Sequence, residues 1–405
     1  MKIMLKRLIG FWRGFFKVIF SKKKWCWPRR SEVLILDGIR PYVFKEYLKP
    51  WNPEVLYIRG EQFNIPVFIS SFFKPESSFF KPESRINAYM NSYIEKVRPR
   101  LIVTFTDNYL KFYAISKKYP DITTLFVQNG LRGYYFSVFE VFNELDSKTT
   151  CDFFVDYMLV FGSHIGEKYS ECIAGETVIM GSMKNNMVRK EESPQKGVIA
   201  LVSQYRKDDG FYMKDVFVPF KEFWTKPDSL VVQCLQEYAK NNNKRLMIIP
   251  AGLRNPSIDL IEEEKDYYKE LMGEEPEFFK LSGPYAAYQA IDSAEIVVAL
   301  DSTLGVEAIA RGTKAAILPI RGSLIGDPTL NFGWPGDFPD EGLFWTNNPN
   351  PESFVRILDY LHDVDYEQWR KDVQASNFSS ILVYDPGNSI FKKTLEQILG
   401  APNSI

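Results

Sequence analysis

Short apolar runs recur along this chain of 405 residues, each followed by polar or glycine residues. Longer amphipathic stretches separate them. The alternation predicts buried parallel strands joined by helices, because a strand covered on both faces is apolar throughout. The runs form two series: residues 33–36, 55–58, 101–105, 124–127, 157–161 and 177–180, then residues 197–203, 246–250, 278–281, 296–300 and 315–319.

The two series predict two domains of the α/β class, since a chain of 405 residues exceeds one typical core. A charged stretch with a proline, residues 189–196, reads as the linker between them. We therefore predict Rossmann-like, doubly wound domains at residues 31–190 and 191–405, with the last helices packing back on the first domain. Such sheets bind ligands at the carboxyl ends of their strands, so the domains would face each other across a cleft.

The run at residues 296–300 leads into the most informative motif, Asp301-Ser302-Thr303-Leu304-Gly305-Val306-Glu307. It predicts a strand, a tight turn and a helix N-terminus. Ser302 or Thr303 would cap the helix, Gly305 would let a ligand approach the backbone, and the helix dipole would favour a phosphate. Glu307 would accept hydrogen bonds from ribose hydroxyls, so the motif indicates a nucleotide-sugar site. The alternative is ordinary helix capping with an acid nearby.

Polar side chains also follow the other predicted strands of the second domain. Ser203 and Arg206 follow the first strand, Arg254 follows the second and Ser282 the third. We predict that they complete the nucleotide site. The two arginines would neutralise the phosphate of the leaving nucleotide, because guanidinium offers fixed, bidentate donors. The alternative for either arginine is a surface ion pair.

In the first domain, Asp107 ends one predicted strand, and Asn129 and Arg132 follow the next. Asp107 is the predicted catalytic acid, either as general base for an acceptor hydroxyl or as nucleophile at an anomeric carbon, with Asn129 beside it. The alternative for Asp107 is a helix N-cap. Arg132, and Trp334 of a later aromatic loop, are predicted to bind the acceptor or a sugar ring, although a tryptophan-rich loop can equally serve packing.

Residues 1–30 combine basic residues with one helical apolar face, formed by Leu5, Leu8, Ile9, Trp12, Phe15, Phe16 and Ile19. The apolar stretch is shorter than the ~20 residues of a bilayer span, and no cleavage site follows it. We predict a basic amphipathic helix in the interface of the cytoplasmic leaflet, supported by Trp25 and Trp27. The alternative is a helix that packs on the body or on a partner.

Composition argues against several other functions. Outside residues 1–31 the chain carries 40 basic and 51 acidic residues, so we expect no nucleic-acid partner. Four cysteines without a CxxC spacing and two histidines outside any ligand spacing indicate neither a disulfide framework nor a metal site. We expect no metal, no cofactor besides a nucleotide-sugar co-substrate, and a cytoplasmic location.

A tandem repeat of seven residues occupies residues 71–84. It is too short for a repeat fold and predicts a surface loop. The loop is either an insertion without function or one that turns its phenylalanines towards an acceptor or a membrane.

With these residues in hand, the chain resembles the GT-B glycosyltransferases of bacterial surface polysaccharide synthesis. It is most similar to surface-carbohydrate biosynthesis proteins with an Asp-Ser-Thr-Leu-Gly-x-Glu-Ala signature. The segments that carry the resemblance are residues 128–133, 181–186, 300–312 and 332–347. The resemblance implies catalysis without a bound metal and a nucleotide held by the C-terminal domain, which here points to Ser302, Thr303, Gly305 and Glu307.

The implied reaction is glycosyl transfer from a nucleotide sugar to a lipid-linked or growing surface polysaccharide at the cytoplasmic membrane face. Relatives that use CMP-linked ulosonic acids carry a His-Pro pair, whereas His164 precedes Ile165 and His362 precedes Asp363, so UDP and GDP sugars stay open. Two alternatives are a nucleotide-sugar 2-epimerase, which shares the double fold, and a non-catalytic membrane scaffold of a polysaccharide complex.

Overall fold

The computed structural model describes residues 21–37, 41–59, 61–74, 82–133, 139–140, 142, 153–190, 195–206, 210–213, 216–251, 258–283 and 285–401. The strands of these residues are β1 (Lys22–Lys24), β2 (Val33–Leu36), β3 (Glu54–Leu56), β4 (Gln62–Asn64), β5 (Leu101–Thr104), β6 (Thr123–Val127), β7 (Phe154–Val160), β8 (Ala174–Ile179), β9 (Gln195–Val202), β10 (Gly210–Met213), β11 (Val216–Pro219), β12 (Arg245–Ile249), β13 (Glu277–Phe278), β14 (Ala294–Ala299) and β15 (Ala315–Ile317). The helices are α1 (Pro41–Leu48), α2 (Ile65–Ser71), α3 (Pro82–Val97), α4 (Ile115–Lys118), α5 (Ser163–Ser170), α6 (Met183–Met187), α7 (Lys226–Asn241), α8 (Ile258–Met272), α9 (Ala286–Ser293), α10 (Thr303–Ala310), α11 (Arg321–Ile325), α12 (Pro351–Asp363), α13 (Tyr366–Ala375) and α14 (Ser389–Leu399).

The first domain is built on a six-stranded parallel sheet in the order β3-β2-β5-β6-β7-β8. Alternate side chains of a strand leave opposite faces of the sheet. On β2, Val33 and Ile35 join the core on one face, and Leu34 and Leu36 join the core on the other. Both faces are covered, which explains why the run is apolar throughout.

The second domain has a five-stranded parallel sheet in the order β13-β12-β9-β14-β15. The order reverses between β9 and β14, which is the topological switch point of a doubly wound sheet. The prediction of an α/β chain with two Rossmann-like domains is therefore confirmed. The apolar runs did not reveal the antiparallel hairpin β10–β11 or the parallel pair β1–β4.

Helix α6, with Ser182 as its N-cap, leads from the first sheet to the second; Met183 packs in the core of the first domain, and its neighbours bond to the second domain. The Ser182 hydroxyl donates to Glu307 of α10, and Asn185 accepts from Arg311 at 2.9 Å. Gly181, just before α6, has a φ of +76°, and a Cβ there would lie 2.0 Å from the Val383 carbonyl oxygen. Only glycine fits this close approach.

The C-terminal helix α14 packs on the sheet of the first domain. Phe391 and Leu395 are buried there in the same cluster as Val33 and Phe44. Arg100, just before β5, donates to the carbonyl oxygen of Leu399 at 3.2 Å and so holds the end of the helix. The chain thus returns to its first domain after completing the second.

The predicted helix over residues 1–30 is wrong for the residues that the structure describes, and the apolar face at residues 5–19 lies outside them. Lys22–Lys24 form strand β1. Lys24 and Arg29 form ion pairs with Glu54 at 2.6 and 3.2 Å, so part of the basic charge is paired within the domain. None of the described helices has the length and apolarity that crossing a bilayer requires.

We predict that Phe391→Ala lowers the free energy of unfolding by about 3–5 kcal/mol, because it removes a fully buried aromatic ring from the contact between α14 and the first sheet. Denaturant unfolding followed by circular dichroism measures the change. Lys393→Ala, at an exposed position of the same helix, is the matched control and should change the value by less than about 0.5 kcal/mol. Equal effects of the two substitutions would contradict the packing described here.

Candidate functional site

The carboxyl ends of the two sheets face each other across the junction of the domains. The backbone N–H of Leu131, in the loop after β6, donates to the Thr303 hydroxyl at the start of α10 over 3.0 Å. Phe139 of the first domain contacts Trp334 of the second, with ring centroids 5.8 Å apart. The loops that follow the strands of both domains therefore meet, as a site for two substrates requires.

The turn between β14 and α10 lies at the switch point of the second sheet. Asp301, Ser302 and Thr303 are partly exposed, and the Ser302 hydroxyl accepts from the backbone N–H of Leu304 at 3.4 Å, as an N-cap does. The capping alternative and a ligand role are compatible here, since an N-terminus with partly exposed residues keeps its positive dipole end.

Gly305 serves helix packing, so the interpretation that it lets a ligand approach is corrected. The residue is buried, and a Cβ would lie 2.4 Å from the Cβ of Ala299 and 2.9 Å from Ile317 Cδ1. The missing side chain therefore faces the sheet and brings α10 close to β14.

Glu307 lies in the interior, 5% exposed, and does not face the turn. Its carboxylate accepts from the hydroxyls of Ser182 and Tyr288, the latter at 3.1 Å to each oxygen. Burial raises the pKa of Glu307, although these hydroxyls and Lys184 oppose the shift. A ribose would have to displace one of these hydroxyls to reach the carboxylate, so binding of ribose by Glu307 stays a prediction.

Arg321, a buried arginine that was not among the predicted site residues, holds the switch point together. Arg321, with a side chain that is 0% exposed, donates to Asp301 at 2.6 Å, to Gln204 at 2.8 Å and to Asp228 at 2.5 Å. Burial raises the pKa of Asp228, with Arg321 opposing the shift. The guanidinium thereby joins the ends of β9 and β14 to α7. Arg321 comes two residues after the apolar run 315–319, so it carries the same strand-end signal that marked the other candidate residues.

Arg206 is placed at the same edge of the sheet by an aromatic ring. Its guanidinium lies 5.1 Å from the ring centroid of Trp224, and Arg321 lies 4.4 Å from the same ring. Cation–π contact with Trp224 thus orients an exposed arginine beside the switch point.

The other predicted residues of the second domain differ in their exposure. Ser203 is buried, and its hydroxyl accepts from the backbone N–H of Tyr205 at 3.2 Å. Ser282 is exposed after β13, at the far edge of the sheet. Arg254 lies outside the described residues.

The structure brings Asp107, Asn129 and Arg132 into one cluster. Asp107 is fully buried and accepts from Arg132 Nε at 2.7 Å and from the Tyr169 hydroxyl. Arg132 also donates to Asn129 at 2.9 Å. Burial alone would lower the pKa of Arg132, but Asp107 and Tyr169 outweigh it and the pKa is raised.

This cluster changes the interpretation of Asp107. The acid is not an N-cap, because Tyr109 stands at the N-cap position of the following helical turn and no side chain caps that turn. Its carboxylate instead fixes the guanidinium of Arg132, whose side chain is 13% exposed. Direct proton transfer by Asp107 stays a prediction that requires this pair to open.

A second polar cluster at the carboxyl edge of the first sheet was not predicted. Asp37 follows β2 with a φ of +98° and accepts from Arg59 at 2.8 Å and from the Thr106 hydroxyl. Burial, and then the charge of Asp37, raise the pKa of Tyr109 to about 12. Left-handed backbone at a non-glycine residue costs free energy and is concentrated at functional sites. The position of Asp37 directly after the first apolar run was the signal available.

Within the described ranges, no group of three or more histidine, cysteine or acidic side chains is placed to hold a metal ion. Cationic side chains and backbone N–H groups are the groups that the structure offers to a phosphate. The arrangement is suited to electrostatic stabilisation of a phosphate leaving group.

We predict that Glu307→Gln gains stability relative to the wild type as the pH rises above 4.5, the usual pKa of a glutamate. A raised pKa means that the unfolded chain loses the proton of Glu307 first, so wild-type stability falls as the pH rises through the folded pKa. Glutamine does not titrate. Denaturant unfolding at several pH values measures the difference, and a difference that stays constant or shrinks with pH would contradict the buried carboxylate.

The family model of an O-antigen biosynthesis protein matches residues 125–399. No curated protein matches the chain. Among solved structures, the UDP-GlcNAc 2-epimerase from Neisseria meningitidis bound to UDP-GlcNAc has a TM-score of 0.50 and 13% identity, covering 91% of this chain and 99% of that one.

Two further structures show the same degree of similarity. The UDP-GlcNAc 2-epimerase from Methanocaldococcus jannaschii has a TM-score of 0.50 and 12% identity, with 90% and 99% of the two chains covered. A glycosyltransferase from Rickettsia africae has a TM-score of 0.50 and 12% identity, with 95% and 100% covered. At such identities the likeness shows the fold. The solved structures thus show the GT-B fold, and the match of the family model shows that the chain belongs to the family of O-antigen biosynthesis proteins.

Proposed function

We propose that the protein is a glycosyltransferase that moves a sugar from a nucleotide sugar to a lipid-linked or growing surface polysaccharide at the cytoplasmic membrane face. The observation that carries the proposal is the 3.0 Å bond between Leu131 and Thr303, which joins the strand-end loops of both domains. A donor on the second domain and an acceptor on the first would meet there. Membership of the O-antigen family supports polysaccharide as the product.

The donor phosphate would rest at the switch point of the second sheet. The partly exposed backbone at Ser302 and Thr303 offers the positive end of α10 to a phosphate. Arg206 adds a positive charge whose position is fixed, because its guanidinium packs on the ring of Trp224. These groups would stabilise the negative charge that develops on the nucleotide when the glycosidic bond breaks. The reaction needs no metal in this proposal.

Arg321 would support the donor site without touching the donor. Its ion pairs with Asp228 and Asp301 fix the turn before α10, and its contact with Trp224 fixes the platform under Arg206. Buried charges of this kind hold one geometry strongly, because removal of one partner leaves the other charge unpaired.

The acceptor would lie against the first domain. Arg132 is held towards the junction by Asp107 and Asn129, and Trp334 lies on the opposite side with Phe139. In this proposal Asp107 acts mainly by positioning Arg132. Transfer of the acceptor proton to Asp107 would follow only when the pair with Arg132 opens.

A nucleotide-sugar 2-epimerase is the second candidate, because epimerases match the fold with the same TM-score as the glycosyltransferase. The two functions differ in the fate of the nucleotide sugar when no acceptor is present. An epimerase converts UDP-GlcNAc to its C2 epimer without an acceptor, whereas a transferase leaves the donor intact until an acceptor glycan is added. Product analysis by nuclear magnetic resonance with and without acceptor separates them.

The first test of the proposal is nucleotide binding by the purified full chain. We expect at least one of UDP, GDP, CMP or their sugars, at a concentration about 100 times its Kd, to stabilise the fold by about 2.7 kcal/mol. Arg206→Ala should weaken that binding at least about tenfold, since it removes a charge-assisted contact. Calorimetric titration measures the dissociation constant.

Arg245→Ala is the matched control for Arg206→Ala. Arg245 begins β12, at the amino-terminal edge of the same sheet, and forms an exposed ion pair with Glu277. The control should bind nucleotide like the wild type. Stabilisation by none of the nucleotides would contradict both enzyme candidates, and an unchanged dissociation constant in Arg206→Ala would remove this arginine from the site.

A further inference from the structure

Residues 21–30 lie as an extended strip along the β3 side of the first domain. Strand β1 pairs with β4 in parallel, and the Asn64 side-chain amide donates to the Cys26 carbonyl oxygen at 2.9 Å. Arg29 donates to the Pro53 carbonyl oxygen at 2.9 Å and pairs with Glu54. These contacts hold the strip against the domain with its outer side turned to solvent.

The outer side of the strip carries large aromatic and basic side chains. Trp25 is 75% exposed and Trp27 is 48% exposed. Lys22, Lys23 and Arg30 are exposed on the same strip. Tryptophans are rarely left this open without a partner surface, because their burial is strongly favourable.

The neighbouring helix α2 extends this surface. Strand β4 leads directly into α2, on which Ile69 is 54% exposed, and Phe73 just beyond it is 84% exposed. The end of α3 joins the two parts, because Lys96 lies 4.5 Å from the ring centroid of Trp27 and the preceding Glu95 pairs with Lys74. We define the edge surface as Lys22, Trp25, Trp27, Arg30, Ile69 and Phe73.

Positive charge continues beside the edge surface. A depression of about 700 Å³ lies there, and its lining includes Arg30, Lys96, Arg98 and Lys118 together with the acids Glu95 and Asp121. The rest of the chain has the opposite balance, since the residues after 31 include 40 basic and 51 acidic side chains. The basic side chains of residues 22–30 and of this depression therefore contrast with the net negative charge of the chain beyond residue 31.

We propose that the edge surface lies on an anionic phospholipid bilayer, with Trp25, Trp27 and Phe73 in the interfacial zone. Tryptophan prefers the level of the head groups, and lysine and arginine side chains are attracted to the surface of an anionic bilayer. The same chemistry does not suit a free sugar or a nucleotide, because the large apolar side chains are open to solvent and do not line the neighbouring depression.

The proposal goes beyond the transfer reaction and does not depend on it. It also differs from the predicted amphipathic helix over residues 1–30, because Lys22, Trp25, Trp27 and Arg30 lie on an extended strip bound to the first domain and act together with Ile69 and Phe73. The edge surface flanks β3, which is the outermost strand of the first sheet.

The test uses the full chain and vesicles of phosphatidylcholine with about 30 mol% phosphatidylglycerol, compared with phosphatidylcholine alone. Trp25→Ser combined with Phe73→Ser should weaken binding to the anionic vesicles at least about tenfold, because two interfacial aromatic side chains are lost. Lys22→Glu combined with Arg30→Glu should abolish the preference for the anionic vesicles. Co-flotation measures both effects.

Matched controls come from the second domain. Phe217→Ser with Leu343→Ser removes apolar side chains that are 46% and 44% exposed, and Lys265→Glu with Lys269→Glu makes the same change in charge. Both controls should float like the wild type, and all variants should keep the nucleotide affinity of the wild type. Wild-type flotation by the edge-surface variants, or no flotation of the wild type, would overturn the proposal whatever the nucleotide result.

Discussion

The structure depends on the contact of helix α10 with both domains. The Ser182 hydroxyl donates to Glu307, and the Asn185 side chain accepts from Arg311 at 2.9 Å. The segment that leaves the first sheet is therefore bonded to α10, the helix that follows the turn at residues 301–303. Arg311 is also paired with Asp292 at 2.5 Å, and both side chains are fully buried. Buried charges are costly to separate. The junction therefore fixes where the two sets of strand ends meet.

This arrangement divides the residues of the 301–307 motif into two kinds. Asp301, Ser302 and Thr303 lie at the partly exposed turn, where the backbone and the dipole of α10 can meet a phosphate. Gly305 and Glu307 lie below the turn, one against Ala299 and the other against Ser182 and Tyr288. The motif that was predicted as one ligand site is thus divided between a partly exposed turn and the joint between the domains.

Sequence patterns predicted the sheets because burial on both faces leaves an uninterrupted apolar run, as in Val33–Leu36. They missed β1, whose three residues are lysines, and β4, in which Phe63 stands between two polar residues; the two strands pair at the margin of the domain. Spacing also could not show that Asp107 meets Arg132, or that Glu307 points inwards. Those facts depend on the rotation of a helix and on contacts between distant residues, such as Ser182 with Glu307, that only the folded chain brings together.

We propose that the donor phosphate site is formed by the turn before α10 and by Arg206, which packs on Trp224. A crystal structure of the full chain with the nucleotide that binds it most tightly tests this directly. The account predicts a phosphate oxygen within hydrogen-bond distance of a backbone N–H at Ser302 or Thr303, with the Arg206 guanidinium beside it. A nucleotide bound in the first domain, or with its phosphates away from α10, would contradict the account.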